Sequence, residues 1–98
     1  MAHAEPQVDH KLSDDDENIH RVWDNSIDPV LTVEPGDVVQ FECRDATDGQ
    51  VDRDTTADDV PGISLDPIHP LTGPVAIEGA EPGDVLQVDL LDLQHEGW

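Results

Sequence analysis

Apolar and polar residues alternate in two separate stretches of the chain, and nearly the same phrase introduces each stretch. Glu34-Pro35-Gly36-Asp37-Val38 leads into Val39, Phe41 and Cys43, with Gln40 and Glu42 on the opposite parity. Glu81-Pro82-Gly83-Asp84-Val85 leads into Leu86, Val88 and Leu90, with Gln87 and Asp89 between them. A period of two predicts a half-buried strand with one wet face. The Pro-Gly pair at the centre of each phrase predicts a type II turn, because proline presets φ at the first central position and glycine accepts positive φ at the second. Pro29–Val33 reads as a strand entering the first turn and Pro74–Glu78 as a strand entering the second. Ile19–Trp23 is a weaker fifth strand. The unit is strand, turn, strand, used twice.

No stretch carries a helical period, and prolines at 29, 35, 61, 67, 70, 74 and 82 interrupt every helix that could be drawn. Asp58-Asp59-Val60 offers at most one turn before Pro61-Gly62. The fold class expected is all-β, of the sandwich type. Residues 1–18 are mostly polar and acidic and predict a disordered N-terminal tail, leaving 19–98 as the ordered domain. Asp45–Asp66 is too polar for a core strand, and a loop of that length in a small domain is either functional or disordered.

Charge changes the picture of the surface and of the partners. Twenty-four acidic residues face four basic ones, a net charge of −20. Nucleic acid and anionic membrane surfaces are therefore excluded as partners. The acid is spread along the chain, aspartate outnumbers glutamate seventeen to seven, and lysine occurs once. That distribution fits a halophilic, cytoplasmic protein whose self-repulsion is screened by molar salt. No apolar run reaches the length of a membrane span, and no secretory signal opens the chain. With a single cysteine, Cys43, there is no internal disulfide.

Chemistry is sparse. Counting back from Gly49 places Arg44 at the first ligand position of a calcium loop, so the EF-hand pattern fails. His20, His69 and His95 are far apart, without the short spacing of a zinc site. Cys43 follows Phe41 in the alternation and is expected as a small buried hydrophobe rather than a nucleophile. The segment His69-Pro70-Leu71-Thr72-Gly73-Pro74 stands out, since two prolines and a glycine can hold an imidazole and a hydroxyl in fixed orientation. A plain structural turn explains the same residues.

The blocks Trp23-Asp24-Asn25-Ser26-Ile27, Leu31–Asp37, Phe41–Ala46, His69–Pro74 and Glu78–Leu86, in this order and spacing, resemble the N-terminal part of the acetamidase/formamidase family. The resemblance covers His20 to Trp98. It implies a β-sandwich of jelly-roll type and hydrolysis of formamide or acetamide to ammonia and the carboxylate. It also implies either a homo-oligomer or the complement of a downstream chain. Family members are several times longer, so the sandwich is expected to be incomplete and inactive alone. A non-catalytic interaction module is the competing reading, because open strand edges recruit partners. The resemblance further suggests a divalent metal, zinc or calcium, with Glu42 and Asp45 as its ligands and His69 as the catalytic residue. Solvated surface acid is the stronger reading for Glu42 and Asp45, while for His69 the two readings balance.

Overall fold

The computed structural model describes residues 7–95. Its strands are short: β1 (His10–Leu12), β2 (Ile19–His20), β3 (Leu31–Val33), β4 (Val39–Phe41), β5 (Leu71–Thr72) and β6 (Val75–Ile77). They form three two-stranded ladders, with β1 and β4 parallel, β2 and β5 antiparallel, and β3 and β6 parallel. Two 3-10 turns, Asp16–Asn18 and Val60–Gly62, are the helical segments among the described residues. The fold is all-β, an incomplete sandwich.

The twin phrases fold as their chemistry dictates. Gly36 and Gly83 hold φ of 90° and 97°. The Asp37 amide donates to the Glu34 carbonyl at 3.0 Å, and the Asp84 amide to the Glu81 carbonyl at 3.0 Å. Each aspartate also turns its carboxylate back onto the first residue, accepting from the Glu34 amide at 2.9 Å and the Glu81 amide at 2.8 Å. A type II turn splays the strands it joins instead of closing a hairpin. Accordingly β3 and β4 diverge: Leu31, Thr32 and Val33 register with Val75, Ala76 and Ile77, while Val39, Gln40 and Phe41 register with His10, Lys11 and Leu12.

Leu12 and Val33, each 7% exposed, form the buried hydrophobic core. Three expectations change in consequence. His10–Leu12 fall within the stretch assigned to a disordered tail, yet they form β1, whose ladder continues from the Glu42 amide to the Leu12 carbonyl at 2.9 Å. Residues 1–6 of that stretch lie outside the described residues. Cys43 is exposed rather than buried, because β4 ends at Phe41 and none of the described residues covers that face. Leu86, Val88 and Leu90 keep their alternation but form no strand, and they are 65%, 68% and 75% exposed. Alternation marks the face that a partner would cover; the described residues supply no such partner. The radius of gyration, 16.3 Å, exceeds the roughly 13 Å of a compact chain this long.

The long loop after β4 is ordered by its own polar side chains. Thr55 and Asp52, then Thr56 and Asp59, close successive small turns. Gln50 clamps the ends together, its Nε2 donating to the Ser64 carbonyl at 2.9 Å and its Oε1 accepting from the Ser64 amide at 2.8 Å.

Candidate functional site

The segment carrying Glu42 and Asp45 runs beside the segment carrying His69. The His69 amide donates to the Ala46 carbonyl at 2.7 Å, and Thr72 Oγ1 donates to the Glu42 carbonyl at 2.6 Å. Around His69, Pro70 is buried and the Gly73 amide donates to the Asn18 carbonyl at 2.8 Å. His69 itself holds φ of 61°, which costs a non-glycine residue about 1–3 kcal/mol and is tolerated where surrounding structure enforces it.

Backbones meet here, but the side chains open onto different spaces. His69 lines a shallow cleft of about 420 Å³ with Arg21, Trp23, Ile68 and Leu71. Glu42 and Asp45 border a much larger cleft on the other side of Leu71. The small cleft falls within the size range of small-molecule sites. Trp23 is 94% exposed, so the indole stands at its mouth as an uncovered wall.

Arg21 is the cation of this cleft, and its position is set by a chain of ion pairs. Its Nη2 donates to Asp48 at 2.7 Å, and Asp48 also receives Arg44 at 3.3 Å. Arg44 reaches on to Asp16 at 2.7 Å and to the Asp14 carbonyl through two N–H groups at 2.9 and 2.6 Å. The Asp16 hydrogen bond, ahead of Asp48, raises the Arg44 pKa; the Arg21 hydrogen bond chiefly lowers that of Asp48. Asp48 takes φ of 55°, a region aspartate enters more readily than most residues. The network ties the N-terminal strand region to the loop beside His69.

Asp45 has a different occupation. One oxygen accepts from the Thr47 amide at 3.0 Å and from the Thr47 hydroxyl, and the other from the Gly49 amide at 2.7 Å. The Thr47 hydroxyl is the main reason its carboxyl lies below the usual aspartate range. Both oxygens are therefore committed to the turn Asp45–Gly49. Glu42 is exposed, and among the described residues no group of three histidine, cysteine or acidic side chains converges as a metal centre would require. Glu42 and Asp45 border the same large cleft, with Asp45 hydrogen-bonded within its own turn.

No motif in the sequence marks Arg21 and Trp23 as cleft residues. Their signal was the rarity of cations in an acidic chain and the place of Trp23 next to a tight Asp24–Ser26 turn, where the Asp24 carboxylate accepts from the Ser26 amide at 2.9 Å.

Against this geometry stand the comparisons with known proteins. The profile of the acetamidase/formamidase family matches residues 6–97. The chain belongs to that family. An acetamidase of Mycolicibacterium smegmatis is 44% identical over 88 residues, covering 88% of this chain and 22% of the relative. A formamidase of Methylophilus methylotrophus is 41% identical over 86 residues, covering 88% of this chain and 21% of the relative. No solved structure matches. This acetamidase/formamidase-family chain corresponds to the N-terminal portion and spans about a fifth of the length of the curated relatives it matches. No helix among the described residues is long and apolar enough to cross a membrane.

Proposed function

We propose that this chain is the N-terminal segment of a salt-adapted cytoplasmic amidohydrolase that converts formamide or acetamide to ammonia and the carboxylate, and that it is inactive by itself. The observation that carries this reading is the identity to an acetamidase and a formamidase over 88% of the chain. His69, on the cleft with Arg21 and Trp23, is the residue proposed to act. Amide hydrolysis needs an activated water, a polarised carbonyl and an acid for the departing ammonia. An imidazole can accept a proton from water and return it to the leaving amine. The Arg21 guanidinium supplies positive charge where the carbonyl oxygen becomes negative, while Trp23 and Leu71 offer apolar surface beside it. Whether a divalent metal takes part is an arm of the test, not a premise.

Ammonia release from formamide and acetamide is measured in molar KCl, with and without chelator. The chain alone is expected to be silent. Together with the polypeptide that completes the fold it is expected to turn over, and His69→Ala is expected to lower the rate by about 100-fold or more. Full activity in that variant removes His69 from the chemistry. Absence of turnover in the completed assembly favours the second reading, a non-catalytic interaction module that self-associates or pairs with a partner chain. The exposed apolar side chains beyond Asp84 are what favour that alternative.

A further inference from the structure

Asp48-Gly49 is the single aspartate-glycine step of the chain, and it closes the turn that begins at Asp45. Glycine places no side chain beside its own nitrogen, so that nitrogen can reach the carboxyl of the residue before it. The reaction open to such a step is ring closure. The Gly49 nitrogen bonds to Asp48 Cγ, and the carboxyl hydroxyl leaves with the amide hydrogen as water. Water then reopens the five-membered imide. Cleavage of the new bond at Cγ restores aspartate. Cleavage at the α-carbonyl carbon leaves isoaspartate, with the backbone routed through the side chain and the α-carboxylate free.

The folded chain opposes each requirement of that closure. The carboxyl must be protonated to release water, yet Oδ2 accepts from Arg21 at 2.7 Å and Oδ1 from Arg44 at 3.3 Å. Both guanidinium groups favour the ionised form, Arg21 the more. The Gly49 nitrogen must be free, yet its N–H donates to Asp45 Oδ1 at 2.7 Å. The Asp48 amide donates to the Asp45 carbonyl at 2.9 Å, which holds the backbone at φ 55°. We propose that Asp48-Gly49 is a latent site of isoaspartate formation, locked in the native fold by Arg21, Arg44 and Asp45. Conversion adds a methylene to the backbone and moves the carboxylate away from its two arginines. The ion-pair chain from Asp16 to the cleft is then cut at its centre. The proposal is independent of amide hydrolysis.

The test ages the 98-residue chain in neutral buffer with molar KCl, and in parallel in urea, where the lock is open. Isoaspartate at position 48 is counted by peptide mapping after enzymatic methylation of its free α-carboxylate. The native chain is expected to convert more slowly than the unfolded one by on the order of tenfold, the population shift that one charge-assisted hydrogen bond sustains. Arg21→Ala is expected to recover about that factor under native conditions. Arg21→Lys, which still donates one charged N–H, should stay near the unsubstituted chain. Circular dichroism shows whether Arg21→Ala keeps its β signal; if it does not, the ratio of native to unfolded rates in the unsubstituted chain decides. Equal native and unfolded rates overturn the proposal, as does a folded Arg21→Ala that converts no faster. In a partly aged sample, molecules carrying isoaspartate should be cut faster within residues 9–18 than the rest. Equal cutting overturns the link from this step to the N-terminal strand region.

Discussion

Replacing Gly36 by alanine isolates the contribution of a single backbone angle. Gly36 sits at φ 90°, and a Cβ built there meets nothing within 4 Å. No steric contact accompanies the change, so the cost is the left-handed conformation itself, about 1–2 kcal/mol for a residue with a Cβ. The turn joins β3 to β4, and Asp37 is further tied to His10 Nε2 on β1 at 2.9 Å, so its strain falls on two of the three ladders. With a urea slope of about 1 kcal/mol/M, at the low end for small proteins, the unfolding midpoint should fall by about 1–2 M. The assay is far-ultraviolet circular dichroism during urea titration in molar KCl, which screens self-repulsion. D-alanine at position 36, introduced by chemical synthesis, favours positive φ and should restore the midpoint. The second copy of the turn is the internal control. Gly83 holds φ 97° with equally open space, but it leads into residues that form no strand and stay exposed. Gly83→Ala should therefore leave the midpoint of the isolated chain in place. A shift from Gly83→Ala as large as that from Gly36→Ala, or none from either, refutes this reasoning.

Arg44→Ala should accelerate proteolysis within residues 9–18, because it removes the fork that holds the Asp14 carbonyl and Asp16; Arg44→Lys should not restore protection, since an ammonium cannot present two parallel N–H groups to one carbonyl. Asp37, Asp45 and Asp48 lie below their ordinary range when folded, chiefly through the Glu34 amide, the Thr47 hydroxyl and the Arg21 guanidinium in turn. Depressed carboxyls give stability that is present above the unfolded value near 3.9 and lost as pH falls through the folded values, so the urea midpoint in molar KCl should hold from about pH 7 to 5 and drop below about pH 4. A midpoint that rises on acidification would show that charge repulsion outweighs these contacts even in salt. Asp37→Asn should retain more stability than Asp37→Glu, because asparagine keeps an acceptor at the right reach for the Glu34 amide while glutamate keeps only the charge; the reverse order, read by the same titration, would make charge the decisive property.

What could be read from the sequence was local chemistry. Pro35-Gly36 and Pro82-Gly83 announce their turns because the residues that close each turn lie within four positions. Leu31–Val33, Val39–Phe41 and Val75–Ile77 are strands where alternation or a β-rich run says so. β1 was illegible: His10-Lys11-Leu12 has one apolar residue and no period, and it becomes a strand because Val38–Glu42 pairs with it from some thirty residues away. The opposite error occurred at Leu86–Leu90, where the period is strong but the described residues offer no pairing edge. At the site, the rigidity around His69 was visible in its prolines, whereas its cleft is built with Arg21 and Trp23 from a distant part of the chain. Asp45 was a ligand candidate from its block resembling the family and its place at the end of a strand, with solvated surface acid as the stronger reading. Thr47 and Gly49 close behind it were the available sign of a self-bonded turn.

The same point bears on the charge. The salt adaptation proposed above would account for many acidic residues but not for why aspartate outnumbers glutamate seventeen to seven. Among the described residues, seven aspartates accept hydrogen bonds from backbone amides: Asp9, Asp24, Asp37, Asp45, Asp52, Asp59 and Asp84. Six of the seven reach an amide within four residues, a span suited to a side chain with a single methylene and long for glutamate. With Leu12 and Val33 as the buried hydrophobic core among the described residues, apolar burial supplies little of the order in the loops. Carboxylates that satisfy their own backbone supply it instead. In this chain the acid is therefore both solvated surface and the fastening of its turns, and the excess of aspartate belongs to the second role.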